Sequence, residues 1–357
     1  MSKRPTALLL ITASVVMMAG CATSNQAGGT STPAVGTDTG TSSSTSLEPT
    51  KKSGPITIAY VPVVTNTSYN MVLAGLREEI DREGGDKFAK LVVQAPTSNT
   101  TSLQEQPNIL EGLIQQKVDV IALSTEDQDA MQPYIAAAAS KGIPVFLFNQ
   151  AVVSKNDPYY VSNVSYDQYQ ASQRIGEWTI KHFAKEDNTK IAVIEGYPGL
   201  LNDQRLNGFK DSIAKASNLQ IVASQPADWT RAKGQSVMEN ILQAHPDVQM
   251  VYGLYDEMAL GALAAVKAAG KLDQVTVVGF DNTADANASI KAGQLQATVD
   301  TAAKAMGGSL GKAIDSFVVE GETVPRSILE KAKVYDQSNI NTFNPDNYIY
   351  VKQQPKG

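Results

Sequence analysis

From Ile56 onward the chain repeats one pattern: a short run of Val, Ile and Leu, then a longer amphipathic segment, then another apolar run. Apolar runs of strand length between helix-length amphipathic stretches imply parallel strands joined by helical crossovers, with helices covering both faces of the sheet. The runs are near-continuous rather than alternating, as doubly covered strands should be. The spacing predicts strands at Ile56–Val63, Lys90–Ala95, Val118–Leu123 and Ile143–Phe148. Helices are expected over Tyr69–Glu83, on to about Gln116 with Pro107 in the first turn, and over Asp127–Lys141. Beyond about Asn163 the pattern resumes with helices at Asp167–Ala184, Asp203–Ala216, Arg231–Gln243 and Glu257–Ala269. Strands at Lys190–Glu195, Gln220–Ala223, Val248–Tyr252 and Val275–Phe280 alternate with them.

One stretch echoes another. Val118–Ser124, a helix opening at Asp127 and ending at Lys141-Gly142, and a strand ending in Phe148-Asn149 match Val248–Leu254, a helix opening at Asp256 and ending at Ala269-Gly270, and a strand ending in Phe280-Asp281. This is one βαβ unit used twice, or the generic likeness of any two such units. Ligands of open α/β sheets sit beyond the carboxyl ends of the strands. Two facing lobes would therefore line a cleft with Ser124–Glu126 and Asn149-Gln150 on one side, and Tyr255 and Asp281-Asn282 on the other.

The first 20 residues have a different character. Lys3 and Arg4 precede an apolar stretch, Thr6–Met18, too short to span a bilayer but of the length of a secretory h-region. It ends in Met18-Ala19-Gly20-Cys21, which resembles the bacterial lipobox and makes Cys21, the only cysteine, the expected lipidation site. The expected mature protein is extracytoplasmic, lipid-anchored at the cell membrane and acidic, its formal charge going from −6 to −8 as Lys3 and Arg4 are removed. Residues 21–54, rich in Ser, Thr and Gly, bury too little apolar surface to offset ordering entropy and read as a tether.

Composition narrows the chemistry. An acidic balance of 30 Lys+Arg against 36 Asp+Glu argues against nucleic acid as a partner. One cysteine and two histidines, His182 and His245, exclude a disulfide framework and a Cys/His zinc site. Gly307–Ala313 falls short of a phosphate-binding loop in spacing and in its last residue, and reads as helix. There is no Gly-x-Ser-x-Gly elbow, and Asp127 and Asp129 read as helix-start charge. No enzyme, cofactor or metal is expected.

Ser224-Gln-Pro-Ala-Asp-Trp229, Ala244-His-Pro-Asp-Val-Gln249, Asp256-Glu-Met-Ala-Leu-Gly-Ala262 and Val277-Val-Gly-Phe-Asp281 closely resemble the type I periplasmic sugar-binding proteins, the ribose-binding kind above all. The likeness runs from about Ile56 to Val334. It implies a two-lobe periplasmic-binding-protein-like I fold of the α/β class, with crossovers near Ser162-Asn163, near Asp300-Thr301 and after about Gly321. The implied lobes are 55–162 plus 301–321 and 163–300 plus 322–350. It further implies a monomer that gives a small polar ligand to an ABC permease or, alternatively, presents it to a membrane sensor.

The family sandwiches a sugar between aromatic rings and meets its hydroxyls with charged and amide groups. By that resemblance Asn66, Ser68 and Tyr69 stand at the first-lobe turn, Trp229 at the second-lobe aromatic platform and Asp281 at the ligand-binding aspartate. Other positions depart from the pattern. Asn149-Gln150 replace an Asp-Arg pair, Asp203 replaces an arginine ahead of Arg205-Leu-Asn-Gly208-Phe209, Tyr255 replaces an asparagine, and Thr301 replaces a glutamine. Loss of two rigid five-donor forks changes which hydroxyl pattern can be satisfied. The expected ligand is therefore a neutral sugar or polyol other than ribose, while Asp203 and Asp281 with the rings would also suit a small cation.

Overall fold

The computed structural model describes residues 47–151 and 157–356. The signal segment, Cys21 and most of the expected tether lie outside the described residues. In chain order, β1 (Ile56–Val61), α1 (Thr67–Arg82), β2 (Ala89–Val93), α2 (Ser102–Gln116), β3 (Val120–Leu123), α3 (Gln128–Ser140), β4 (Val145–Phe148) and β5 (Ser162–Tyr166) form most of the first lobe. Then come α4 (Gln168–His182), β6 (Thr189–Glu195), α5 (Leu200–Ile213), β7 (Leu219–Pro226), α6 (Arg231–Ala244), β8 (Met250–Gly253) and α7 (Asp256–Ala268) of the second. The chain continues through β9 (Thr276–Val278), α8 (Ala284–Lys291), β10 (Ala297–Asp300), α9 (Ala303–Asp315), β11 (Ser327–Glu330) and β12 (Lys333–Asp336).

Two six-stranded sheets result, in the orders β2-β1-β3-β4-β5-β11 and β7-β6-β8-β9-β10-β12. All pairings are parallel except β10 with β12. The central strands are buried along their whole length, so Val120–Leu123, Val145–Phe148 and Met250–Gly253 carry no polar alternation.

Several boundaries differ from the sequence reading. Ser162 and Asn163 lie inside β5 of the first sheet, and β11 also joins that sheet, so the chain passes between sheets just after Tyr166, after Asp300 and between Glu330 and Lys333. Strands β5 and β10–β12 are short and polar-flanked and escaped an apolar-run criterion. Helix α5 opens at Leu200 rather than Asp203, and Pro107 is the sixth residue of α2, beyond the first turn. Residues 47–54 are not free tether: Thr50 N–H donates to Phe317 O at 2.8 Å and Lys52 N–H to Val318 O at 3.0 Å.

The phosphate-loop-like glycines serve helix packing. A Cβ on Gly307 of α9 would lie 1.9 Å from Val72 O of α1, and one on Gly75 would lie 1.9 Å from Lys304 O. Only glycine permits so close a crossing. Past β12 the chain returns from the second lobe to the first: Val351 N–H donates to Glu78 at 2.8 Å and Gln353 N–H to Asp81 at 3.0 Å, both on α1.

Candidate ligand-binding site

The carboxyl ends of both sheets converge on two adjoining cavities. The inner one, about 40 Å³, is bordered by Asn66, Ser68, Tyr69 and Asn149 from the first lobe and Trp229, Tyr255 and Asp281 from the second. Seven residues singled out in the sequence thus come together, along with Asn99, Glu126, Leu201 and Arg205. The outer cavity, about 530 Å³, shares Glu126 and Leu201 with it and is bordered by Gln150.

In the first lobe, Asn66 ends the loop after β1 in extended backbone and caps α1, its side chain accepting from Tyr69 N–H at 3.0 Å. That cap sets the first turn of α1 and so aims Ser68 and Tyr69 at the cleft. The Tyr69 hydroxyl meets Ser124 Oγ at 3.1 Å, and Gln150 Nε2 reaches the same oxygen at 3.4 Å. Burial raises the Tyr69 phenol well above its usual range, so it stays protonated and available as a donor.

In the second lobe, Arg205 is the organising group. Its Nε donates to Gln168 Oε1 at 2.8 Å, Nη1 to Leu254 O at 2.6 Å and Nη2 to Tyr166 Oη at 2.5 Å, with Nη2 also 3.5 Å from Asp281 Oδ1. The guanidinium carbon lies 4.1 Å from the Phe280 ring centroid and 5.5 Å from that of Trp229. Trp229 is 9% exposed, and its Nε1 donor has no hydrogen-bond partner. Its ring fits because residue 196 is glycine: a Cβ there would sit 2.0 Å from the indole.

The lobes touch at the cavity floor, where Ser68 Oγ donates to Asp281 Oδ2 at 2.6 Å. The Tyr255 hydroxyl is buried near this pair without a partner in good geometry, and burial raises its pKa, with the Asp281 charge adding to the effect. Backbone strain gathers here as well. Of the non-glycine residues with positive φ, Asn149 (51°), Trp229 (60°) and Asp281 (103°) border the inner cavity. Strain of this kind is held by surrounding structure at binding sites.

Three expectations are revised. Asp203 is exposed on α5 and borders neither cavity, whereas Arg205 is buried on the floor. Two residues of a helix point about 200° apart, so only one of the pair can face inward, and the inward face carries Asn202, Arg205, Leu206 and Phe209. The cleft therefore holds a guanidinium, that of Arg205, the arginine the motif retains. Thr301 is buried in the passage between sheets and borders neither cavity, and Gln150 faces the outer cavity only.

The sequence signal for Arg205 is its helical phase within Arg205-Leu-Asn-Gly208-Phe209. Glu126 stood at the expected strand end without an assigned role; Asn99 had no signal. Among the described residues no group of His, Cys, Asp and Glu suits a metal, and no helix is long and apolar enough to cross a membrane.

This arrangement has known counterparts. Ribose import binding protein RbsB of Bacillus subtilis is 32% identical over 273 residues, covering 76% of this chain and 85% of the relative. The D-allose-binding periplasmic protein of Escherichia coli is 28% identical over 77% of this chain and 89% of that one. Among solved structures, an ABC transporter solute binding protein from Agrobacterium vitis with bound D-fucose superposes with a TM-score of 0.75 at 27% identity, over 82% of this chain and 100% of that one. The model of the periplasmic binding protein domain matches residues 58–322. Carrying that domain across both sheets and the cleft between them, the chain belongs to the periplasmic binding protein family.

Proposed function

We propose that this chain is the extracytoplasmic solute-binding component of an ABC importer, holding a sugar or polyol in the inner cavity and anchored to the cell membrane through lipid on Cys21. The observation that carries the reading is the convergence of Tyr69, Trp229, Arg205, Asp281 and the amides Asn66 and Asn149 on one small space between two lobes. Rings take the apolar C–H faces of a sugar, and the carboxylate, amides and free Trp229 Nε1 take its hydroxyls.

About 40 Å³ has room for only about three waters. A monosaccharide therefore enters when the lobes part, and one of its hydroxyls takes the place of Ser68 on Asp281. Closure around the ligand follows as the strand ends of both lobes engage it. Ligand-dependent closure is also what a permease partner can sense.

Calorimetric titration with D-ribose, D-allose, D-fucose and myo-inositol tests the reading. Binding of a sugar or polyol that is lost in Asp281→Ala supports it; a folded protein that takes up none of a wide sugar and polyol panel overturns it. Ribose should bind weakly, because Asn149, Gln150 and Tyr255 differ from the family pattern. Each buried hydroxyl left without its partner costs about 1–3 kcal/mol. Sub-micromolar ribose binding would refute that part. Cys21→Ser should release the protein from the membrane fraction, and its continued retention there would argue against the anchor.

A further inference from the structure

The charges around the inner cavity do not balance. Among the described residues, Arg205 is the one base bordering it, against two acids, Glu126 and Asp281. The guanidinium is committed to Gln168 and Leu254 O of the second lobe and to Tyr166 at the end of β5, and the charge left over faces Asp281. Asp281 is further satisfied by Ser68. Glu126 has no such support. It follows β3 on the first lobe, borders both cavities and, among the described residues, has no hydrogen-bond or ion-pair partner. Partial burial raises its pKa, with the charge of Arg205 opposing, while the side chain stays half-buried at the outer cavity.

The approach to Glu126 has the same sign. Asp127 and Asp129 stand beside it on the outer cavity, while among the described residues the facing wall, Pro198–Leu201, brings no base. A neutral ligand that closes the cleft seals in an excess negative charge, and an uncompensated buried charge is costly. An ammonium group on the ligand removes the excess and gives Glu126 the donors it lacks.

We infer that Glu126 is a specificity residue of this site and selects, among sugars and polyols, a ligand carrying a protonated amino group, such as an amino sugar or amino alditol. The inference rests on the sugar-or-polyol reading above and goes further by fixing a charge on the ligand. Tyr69 and Trp229 hold the ring or chain, Asp281 takes a hydroxyl, and Glu126 takes the ammonium at the mouth of the inner cavity.

The test is calorimetry at pH 7 on matched pairs: D-glucosamine against D-glucose, D-galactosamine against D-galactose, D-mannosamine against D-mannose, and D-glucamine against D-glucitol. At least one amine should bind ten-fold or more tightly than its hydroxyl twin. Glu126→Gln, which disturbs no intramolecular partner, should bring that pair within about two-fold. If sugars bind but every neutral twin equals or exceeds its amine, the inference falls and the sugar reading stands. An amine preference that survives Glu126→Gln also overturns it. If no compound of either kind binds, the inference falls, and the sugar reading falls with it only when D-ribose, D-allose, D-fucose and myo-inositol fail as well.

Discussion

In the first lobe the helix after β3 is capped by Asp127, an exposed residue whose side chain accepts from Ala130 N–H at 3.0 Å. In the second, the matching helix after β8 opens at Asp256, which is fully buried and accepts from Thr283 N–H at 2.6 Å and Thr298 Oγ1 at 2.7 Å. The strands that follow lead into Phe148-Asn149 and Phe280-Asp281, and Asn149 and Asp281 both have positive φ and border the inner cavity. The βαβ echo is thus geometrically real, yet aligned residues have parted in role. Asp256 knits β10 and the start of α8 to the site loop, whereas Asp127 serves only its own helix. Asp281 is fixed by Arg205 and Ser68, while Asn149 supplies an uncharged amide. Shared backbone geometry conserves where a side chain stands and leaves its chemistry free.

The sharpest way to break this comparison is to truncate both aspartates. Asp256→Ala strands two buried donors at about 1–3 kcal/mol each, so denaturant unfolding should show a loss of about 3 kcal/mol. Asp256 also has a pH signature. Burial pushes its pKa up to about 8, so the folded state keeps a proton that the unfolded chain releases near pH 4. The folded state binds more protons between those values, and this group makes stability fall as pH rises from about 4 to 8, by at most about 1.4 kcal/mol per unit. Asp256→Asn should remove that slope in unfolding curves at pH 5, 7 and 9; an unchanged slope would place its origin elsewhere.

The next effect concerns ligand. Trp229→Ala should weaken binding at least ten-fold, about 1.4 kcal/mol, with a smaller loss of fold, because the indole borders the cavity and its Nε1 has no partner within the protein. Unchanged affinity with collapsed stability would make Trp229 a core residue of the second lobe. The smallest effect is expected in the first lobe, where Asp127→Ala removes one helix cap at about 1 kcal/mol. A loss as large as that of Asp256→Ala would mean that the two aspartates are equivalent after all.

Legibility in the sequence followed the physics of each element. Strands buried on both faces, such as Val120–Leu123 and Val145–Phe148, announce themselves as apolar runs. The edge strands β11 and β12, Ser327–Glu330 and Lys333–Asp336, are exposed or half-buried at every position but Tyr335 and carry charge, so no apolar run marks them and the last passage between sheets lies later than the sequence predicts. Residues just beyond apolar runs, Asn149, Tyr255 and Asp281, were readable as cleft residues because parallel sheets put ligands there. Asp203 and Arg205 lie two apart on one helix, so the sequence shows which residue types stand there and the fold decides which of them faces the cleft.

The sequence by itself determined the alternation of strand and helix, the two-lobe plan and the set of strand ends that meet, since these follow from local periodicity and from steric rules of βαβ connection. Tertiary structure decided the charge state and occupancy of the site. Which acid is buried, as Asp256 is, which is exposed, as Asp203 is, and which is left uncompensated, as Glu126 is, depends on neighbours distant in the chain. Arg205 illustrates the reason: its partners Tyr166 and Gln168, Leu254, and Asp281 come from three separate stretches of the chain, and electrostatic energy in a desolvated space is set by where such groups meet in three dimensions.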